Sequence, residues 1–200
     1  MLVYIYMSFD KLKRKIIGFV SGVLVSSIFF SRNIYDSIHL RENMMHIKFV
    51  PGDDITQNIV DHINAAKKSI YIQAYGWSSN NILNSVKSAA AREVKIFIIL
   101  DKSNVGKYRN KSQSYFMQDL LKLGVNILID SRSIAHNKVM IIDESIVITG
   151  SFNFTESANR RNVENVIFLY SKDAANRYLN NWHNREKCST PLHKLINNNY

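Results

Sequence analysis

Residues 136–153 read His136-Asn137-Lys138-Val139-Met140-Ile141-Ile142-Asp143-Glu144-Ser145-Ile146-Val147-Ile148-Thr149-Gly150-Ser151-Phe152-Asn153, and Glu164 follows eleven positions later. Six of its positions make the pattern H-x-K-x4-D-x6-G-S-x-N. Two apolar runs, Val139 to Ile142 and Ile146 to Thr149, flank Asp143-Glu144-Ser145, the pattern of two short strands joined as a hairpin. His136 and Lys138 stand two apart where the chain enters the first strand, so their side chains project to one face. Gly150 and Ser151 follow the second strand.

These residue types suit chemistry at phosphorus. A phosphodiester needs a nucleophile and positive charge around its oxygens. Neutral imidazole supplies the nucleophile near pH 7 without a metal. Lys138 supplies a cation for the non-bridging oxygens, and Asn153 can donate amide hydrogen bonds to them. Ser151 can hydrogen-bond within the site. Glu164 can accept the other imidazole N–H and fix the tautomer. Taken singly, each has an ordinary meaning: a satisfied polar histidine, a solvated lysine, a Gly-Ser turn. The ordered set at one spacing points to a site.

The same set resembles the signature of the phospholipase D superfamily at every specified position. Ala90 to Asp101 looks like the family's helix-to-strand segment, with the usual Arg-Gly-Val present as Arg92-Glu93-Val94. The similarity runs over roughly residues 46–185. In length, single signature and hydrophobic N-terminus the chain looks most like the short secreted phospholipase D of obligate intracellular bacteria, with the single-signature bacterial endonucleases as architectural relatives. The resemblance implies catalysis by His136 and Lys138. It gives the signature aspartate, Asp143, a role in supporting the fold near the site rather than touching phosphate. Ser151, Asn153 and Glu164 are then the phosphate-binding and supporting residues.

Working outward, the chain alternates strand and helix patterns from residue 46. His46 to Val50 reads as a strand, and Asp53 or Asp54 can cap a helix facing inward with Ile55, Ile59, Val60 and Ile63. Ser69 to Tyr75 is rich in β-formers. Asn80 or Asn81 can cap a helix using Ile82, Leu83, Val86 and Ala90. Val94 to Leu100 is continuously apolar, as in a strand covered on both faces. Asp101 to Gln113 reads as a basic loop with Lys102, Lys107, Arg109 and Lys111. Ser114 to Leu123 is helical and stopped by Gly124; Val125 to Asp130 is a strand. Val163 to Tyr170 is another, and Asp173 can cap a last helix with Ala174, Tyr178 and Trp182 on one face. The expected fold is α/β: a mixed sheet flanked by helices, forming half of a two-fold catalytic unit. Residues 186–200 read as a polar tail. Tyr75, Trp77 and Trp182 are expected in the core or a pocket wall, and the histidines at 39, 46, 62, 183 and 193 as structural or surface groups.

Composition narrows the partners. The formal net charge of +10 favours polyanions, whether nucleic acid or an acidic lipid surface. The single cysteine, Cys188, excludes an intramolecular disulfide and a cysteine-based zinc site. No metal-ligand cluster, Gly-rich phosphate loop or Ser-His-Asp arrangement competes with the signature, so neither metal nor cofactor is expected.

Lys11, Lys13, Arg14 and Lys15 precede an apolar run from Ile16 to Phe30, about the length of a signal-peptide core. Residues 1–27 are expected to be an export signal, with an uncleaved membrane anchor as the rival, so the protein is expected to be secreted or exported. Cleavage after Ser27 removes those four basic residues and Asp10, leaving the remainder basic.

One signature per chain implies a homodimer. In-line displacement puts nucleophile and leaving group on opposite sides of phosphorus, and one imidazole cannot serve both. Two substrates share the required phosphodiester. The first is a phosphatidylcholine-like phospholipid in a membrane, cleaved to phosphatidic acid; the alternative is nucleic acid, cut by a metal-independent endonuclease. A degenerate binding module is disfavoured by the intact signature.

Overall fold

The computed structural model describes residues 26–27, 45–104 and 111–197. The export signal or anchor expected over residues 1–27 lies outside these residues except for its last two, as do Lys107 and Arg109 of the basic loop. The strands are β1 (Met45–Val50), β2 (Ser69–Ala74), β3 (Lys95–Asp101), β4 (Asn126–Asp130), β5 (Lys138–Ile142), β6 (Ile146–Gly150), β7 (Glu164–Tyr170) and β8 (Ser189–Pro191). The helices are α1 (Ile55–Ala65), α2 (Asn80–Ala91), α3 (Lys111–Lys122), α4 (Glu156–Arg160), α5 (Lys172–Glu186) and α6 (Leu192–Asn197). A short 3-10 turn, Lys102–Asn104, follows β3.

The strands form one mixed sheet in the order β1-β7-β6-β5-β2-β3-β4-β8. β2, β3 and β4 run parallel, joined through helices, while the remaining pairs are antiparallel. This arrangement follows from the sequence: apolar runs separated by helical patterns need crossovers, and runs separated by a tight turn make hairpins. The mixed sheet between helices is the expected fold class.

Residues of alternate parity serve two cores. On one face Ile70, Ile72, Ile98, Met140, Ile148 and Phe168 meet Ile59 and Ile63 of α1 and Ile82 and Val86 of α2. On the other, Ile99, Leu128, Val139, Ile141 and Val147 meet Ala175, Leu179 and Trp182 of α5. The Trp182 indole N–H donates to the Ile72 carbonyl at 3.2 Å, which satisfies its one polar atom in the core. Its burial predicts a cost of about 3–5 kcal/mol for Trp182→Ala.

Several local expectations are revised. Of the two candidate caps of α1, Asp54 accepts the Gln57 amide, while Asp53 bonds Lys48 and the Phe49 amide. Ser79, not Asn80 or Asn81, precedes α2, because the amides of Ser78 and Ser79 are drawn to the Phe154 carbonyl. Ser171, not Asp173, caps α5, accepting the Ala174 amide. The buried stripe of α5 is Ala175, Leu179 and Trp182, with Ala174 and Tyr178 only partly buried beside it. Of the stretch expected as a polar tail, residues 189–197 are structured: β8 pairs with β4, and Leu192 of α6 is buried in the core. The short helix α4 was also not anticipated.

Candidate active site

The site forms where β5 begins and β6 ends. This is also the carboxyl edge of the parallel strands β2 to β4, since Ala74, the last residue of β2, pairs with Lys138, the first of β5. Crevices at that edge are the usual ligand sites of open α/β sheets. Lys138 is only 7% exposed, whereas His136, two residues earlier, is exposed. The Lys138 ammonium nitrogen lies 3.0 Å from Nδ1 and 3.2 Å from Nε2 of His136, and donates to the His136 carbonyl at 2.9 Å. Burial pulls the Lys138 pKa below the ordinary lysine value, and the charge of Glu164 partly offsets that.

Glu164, at the start of β7, is also 7% exposed. One carboxylate oxygen accepts from the Ser151 hydroxyl and the other from the Asn162 amide at 2.8 Å. The Ser151 oxygen in turn accepts the Asn165 amide at 3.0 Å. Within one chain, Glu164 therefore braces Ser151 rather than holding the imidazole N–H of His136. The two strands approach so closely here that a Cβ on Gly150 would lie 2.1 Å from the Asn165 carbonyl oxygen. The position admits only glycine.

Asn153 sits beside Gly76, with its amide oxygen buried and, among the described residues, lacking a hydrogen-bond partner. Its loop is docked by backbone bonds between Phe154 and residues 76, 78 and 79.

Asp143 stands apart from this group. It lies at the other end of β5, roughly 16 Å of extended chain from Lys138. Its carboxylate accepts the amides of Lys67, Lys68 and Ser69, tying the β5–β6 turn to the entry of β2. Burial works to raise its pKa, but the amides of Lys68, Lys67 and Ser69 outweigh burial and hold it below the usual carboxylate value. Asp143 and Glu144 both have positive φ, 51° and 55°, as in a type I′ hairpin turn.

The structure adds residues that sequence reasoning did not assign to the site. Tyr75 packs its ring on His136, with centroids 4.5 Å apart, and lies 5.3 Å below the Lys138 ammonium. Asp101 and Asp130 are the final residues of β3 and β4 and are register partners. Asp101 bonds the Ala135 amide, and Asp130 holds Arg185, which reaches Ser133 at 3.0 Å. A signal was present: each aspartate directly ends an apolar strand at the edge where such sites form. Among the described residues, no three His, Cys, Asp or Glu side chains converge as a metal site would require.

The family model described as "Cardiolipin synthase, PLD-like domain" matches residues 59–185. The chain belongs to the phospholipase D superfamily. Its likeness to proteins named phospholipase D makes it a phosphodiesterase. The chain is 41% identical over 153 residues to the phospholipase D of Rickettsia conorii, covering 76% of this chain and 74% of the relative. It is 37% identical over 194 residues to the phospholipase D of Rickettsia prowazekii, covering 89% and 92%. Among solved structures, the phospholipase D family member Nuc from Salmonella typhimurium matches with a TM-score of 0.67 at 28% identity, covering 74% of this chain and 96% of Nuc. Phospholipase D superfamily membership thus accounts for both the signature and the sheet.

Proposed function

We propose that the protein is an exported phospholipase D that hydrolyses phosphatidylcholine-like phospholipids to phosphatidic acid and free head group. The observation that carries this reading is the pairing of an exposed imidazole with a buried ammonium within hydrogen-bond reach of both its ring nitrogens. A ring nitrogen that accepts from an ammonium carries no proton, and its lone pair becomes available for attack when the ammonium turns to the phosphate oxygens. The similarity to proteins named phospholipase D supports the lipid as substrate.

In the proposed mechanism, the His136 lone pair attacks phosphorus, and the bond to the head-group oxygen breaks as that oxygen takes a proton. The phosphohistidine is then opened by water, giving phosphatidic acid and regenerating the imidazole. Lys138 and the Asn153 amide stabilise the charge that builds on the phosphoryl oxygens. The acid on the leaving side is His136 of a second copy, related by a two-fold axis through the site. A bare apolar strip supports a homodimer. Met45, Ile47 and Phe49 are exposed on β1, and Val163, at 88% exposure, precedes Glu164 at the site edge.

A second reading, a metal-independent endonuclease on the same fold, is favoured by the net charge of +10 and by exposed Arg160 and Arg161 at the end of α4. Phosphatidylcholine vesicles and plasmid DNA, assayed side by side in excess EDTA with a His136→Asn control, separate the two. Head-group release without DNA nicking supports the lipase. Nicking without head-group release overturns it.

A further inference from the structure

Both segments that enclose the His136 imidazole are tied to the end of β3. Asp101, the last residue of that strand, is 2% exposed. Its Oδ2 accepts the Ala135 amide at 2.7 Å, one residue before His136, and its Oδ1 accepts the Ser103 amide at 2.8 Å. Asn104, three residues on and also buried, donates to the carbonyl of Tyr75 at 2.8 Å. Tyr75 is the residue whose ring lies on His136, and its amide donates to the Asn137 carbonyl at 2.9 Å.

We propose that Asp101 is a positioning residue for His136, setting through the Ala135 amide where the imidazole stands relative to Lys138 and the phosphate. The proposal rests on His136 being the nucleophile. Residues 131–137 belong to no helix or strand: the His136 amide donates only within this segment, to the Ile134 carbonyl, and the Tyr75 amide holds it on the far side at Asn137. The bond from Ala135 to Asp101 spans 34 positions of sequence and anchors that segment to the sheet.

A purely local role for Asp101 explains less. A cap of the 3-10 turn needs only the Ser103 bond. Its register neighbour Asp130 has Arg185 against it, whereas no ion pair is made by Asp101 among the described residues. Burying a carboxylate without a paired cation costs several kcal/mol unless donors replace water. Here the second oxygen is satisfied by the amide next to the catalytic residue. Burial raises the Asp101 pKa, but the Ser103 and Ala135 hydrogen bonds and the charge of Lys102 outweigh it, so the group is ionised at neutral pH.

The test uses the full chain and a small phosphodiester, bis(4-nitrophenyl) phosphate, so that the result does not depend on lipid or nucleic acid as substrate. Asp101→Asn turns an NH2 group toward one of the two donors, and Ala135→Pro removes the donor itself. Because a misplacement of about 1 Å can cost about a hundredfold, each variant should lose roughly tenfold to a hundredfold in kcat while KM stays within about twofold. The double variant should be no slower than the slower single one. In Asp101→Asn the His136 ring 15N resonances should move while those of the other histidines stay. Near-UV circular dichroism confirms folding, and if Asp101→Asn does not fold, Ala135→Pro carries the same prediction. An unchanged kcat, a loss confined to KM, or losses that multiply in the double variant would each overturn the proposal. His136→Asn is run in parallel. Retained activity there removes the nucleophile assignment, while the ring resonances still report whether Asp101 places the imidazole.

Discussion

The Lys138 ammonium stands 3.0 Å from Nδ1 of His136 and donates to the carbonyl of that same residue. In the proposed mechanism, the cation that meets the phosphate thus also grips the residue that attacks it. Strand geometry makes this possible: two positions apart on extended chain, both side chains leave one face.

The pair leads to a pH prediction. Because burial lowers the Lys138 pKa, the alkaline limb of kcat/KM should fall below the ordinary lysine value of about 10.4. Lys138→Arg cannot titrate in that range and should lack the limb, at a rate reduced on the order of 10²-fold or more. The stability sign is opposite to that of a salt-bridged lysine. Between the lowered folded value and the ordinary one, the unfolded chain holds the extra proton, so this group's contribution to stability rises with pH. Pre-steady-state rates and urea melts across pH 8–11 check both.

Asp143 predicts a different signature. With its folded pKa lowered by three amides, its contribution is fully present above about pH 4 and lost as pH falls through the folded value. Asp143→Asn should cost about 2–3 kcal/mol at pH 7, a deficit that shrinks below about pH 4. Urea unfolding of both proteins at pH 7 and pH 3 tests this. Catalytic constants measured on folded variant should stay near wild type, since Asp143 is far from Lys138.

Glu93 follows the end of α2 with φ of 65°, in the left-handed region that favours glycine. The Arg-Glu-Val departure from the family's Arg-Gly-Val falls on this residue. Glu93→Gly should stabilise the fold by about 1 kcal/mol, read as a rise in melting temperature without change in kcat.

The sheet, its two-sided strands and the grouping of His136 with Lys138 were legible because each rests on a local period in the sequence. What was not legible rests on contacts distant in the chain. Ser79 replaces the asparagines at the start of α2 because Phe154, far along the chain, supplies the acceptor. Leu192, with Leu195 and Ile196, is a sparse apolar group in a mostly polar stretch until β8 adds to the sheet edge and Leu192 is buried. The tie from Asp101 to Ala135 has no sequence period at all. Glu164 was expected on the imidazole; within one chain its two oxygens accept from Ser151 and Asn162, contacts that no sequence period signals.

The apolar strip on β1 predicts where a second copy docks. Phe49 is 57% exposed and points away from the core that Val50 enters. Phe49→Glu should convert dimer to folded monomer in sedimentation velocity and lower activity with it. A dimer of unchanged stability would place the interface elsewhere.

The measurement that bears most directly on two His136 side chains serving one phosphate is the activity of a mixed dimer. Wild-type and His136→Ala chains carrying different tags are co-expressed, and the heterodimer is isolated through both tags. One imidazole then remains, able to attack or to protonate the leaving group but not both. The heterodimer should be nearly inactive. Half of wild-type activity per dimer, or a fully active monomer at assay concentration, would contradict the shared site.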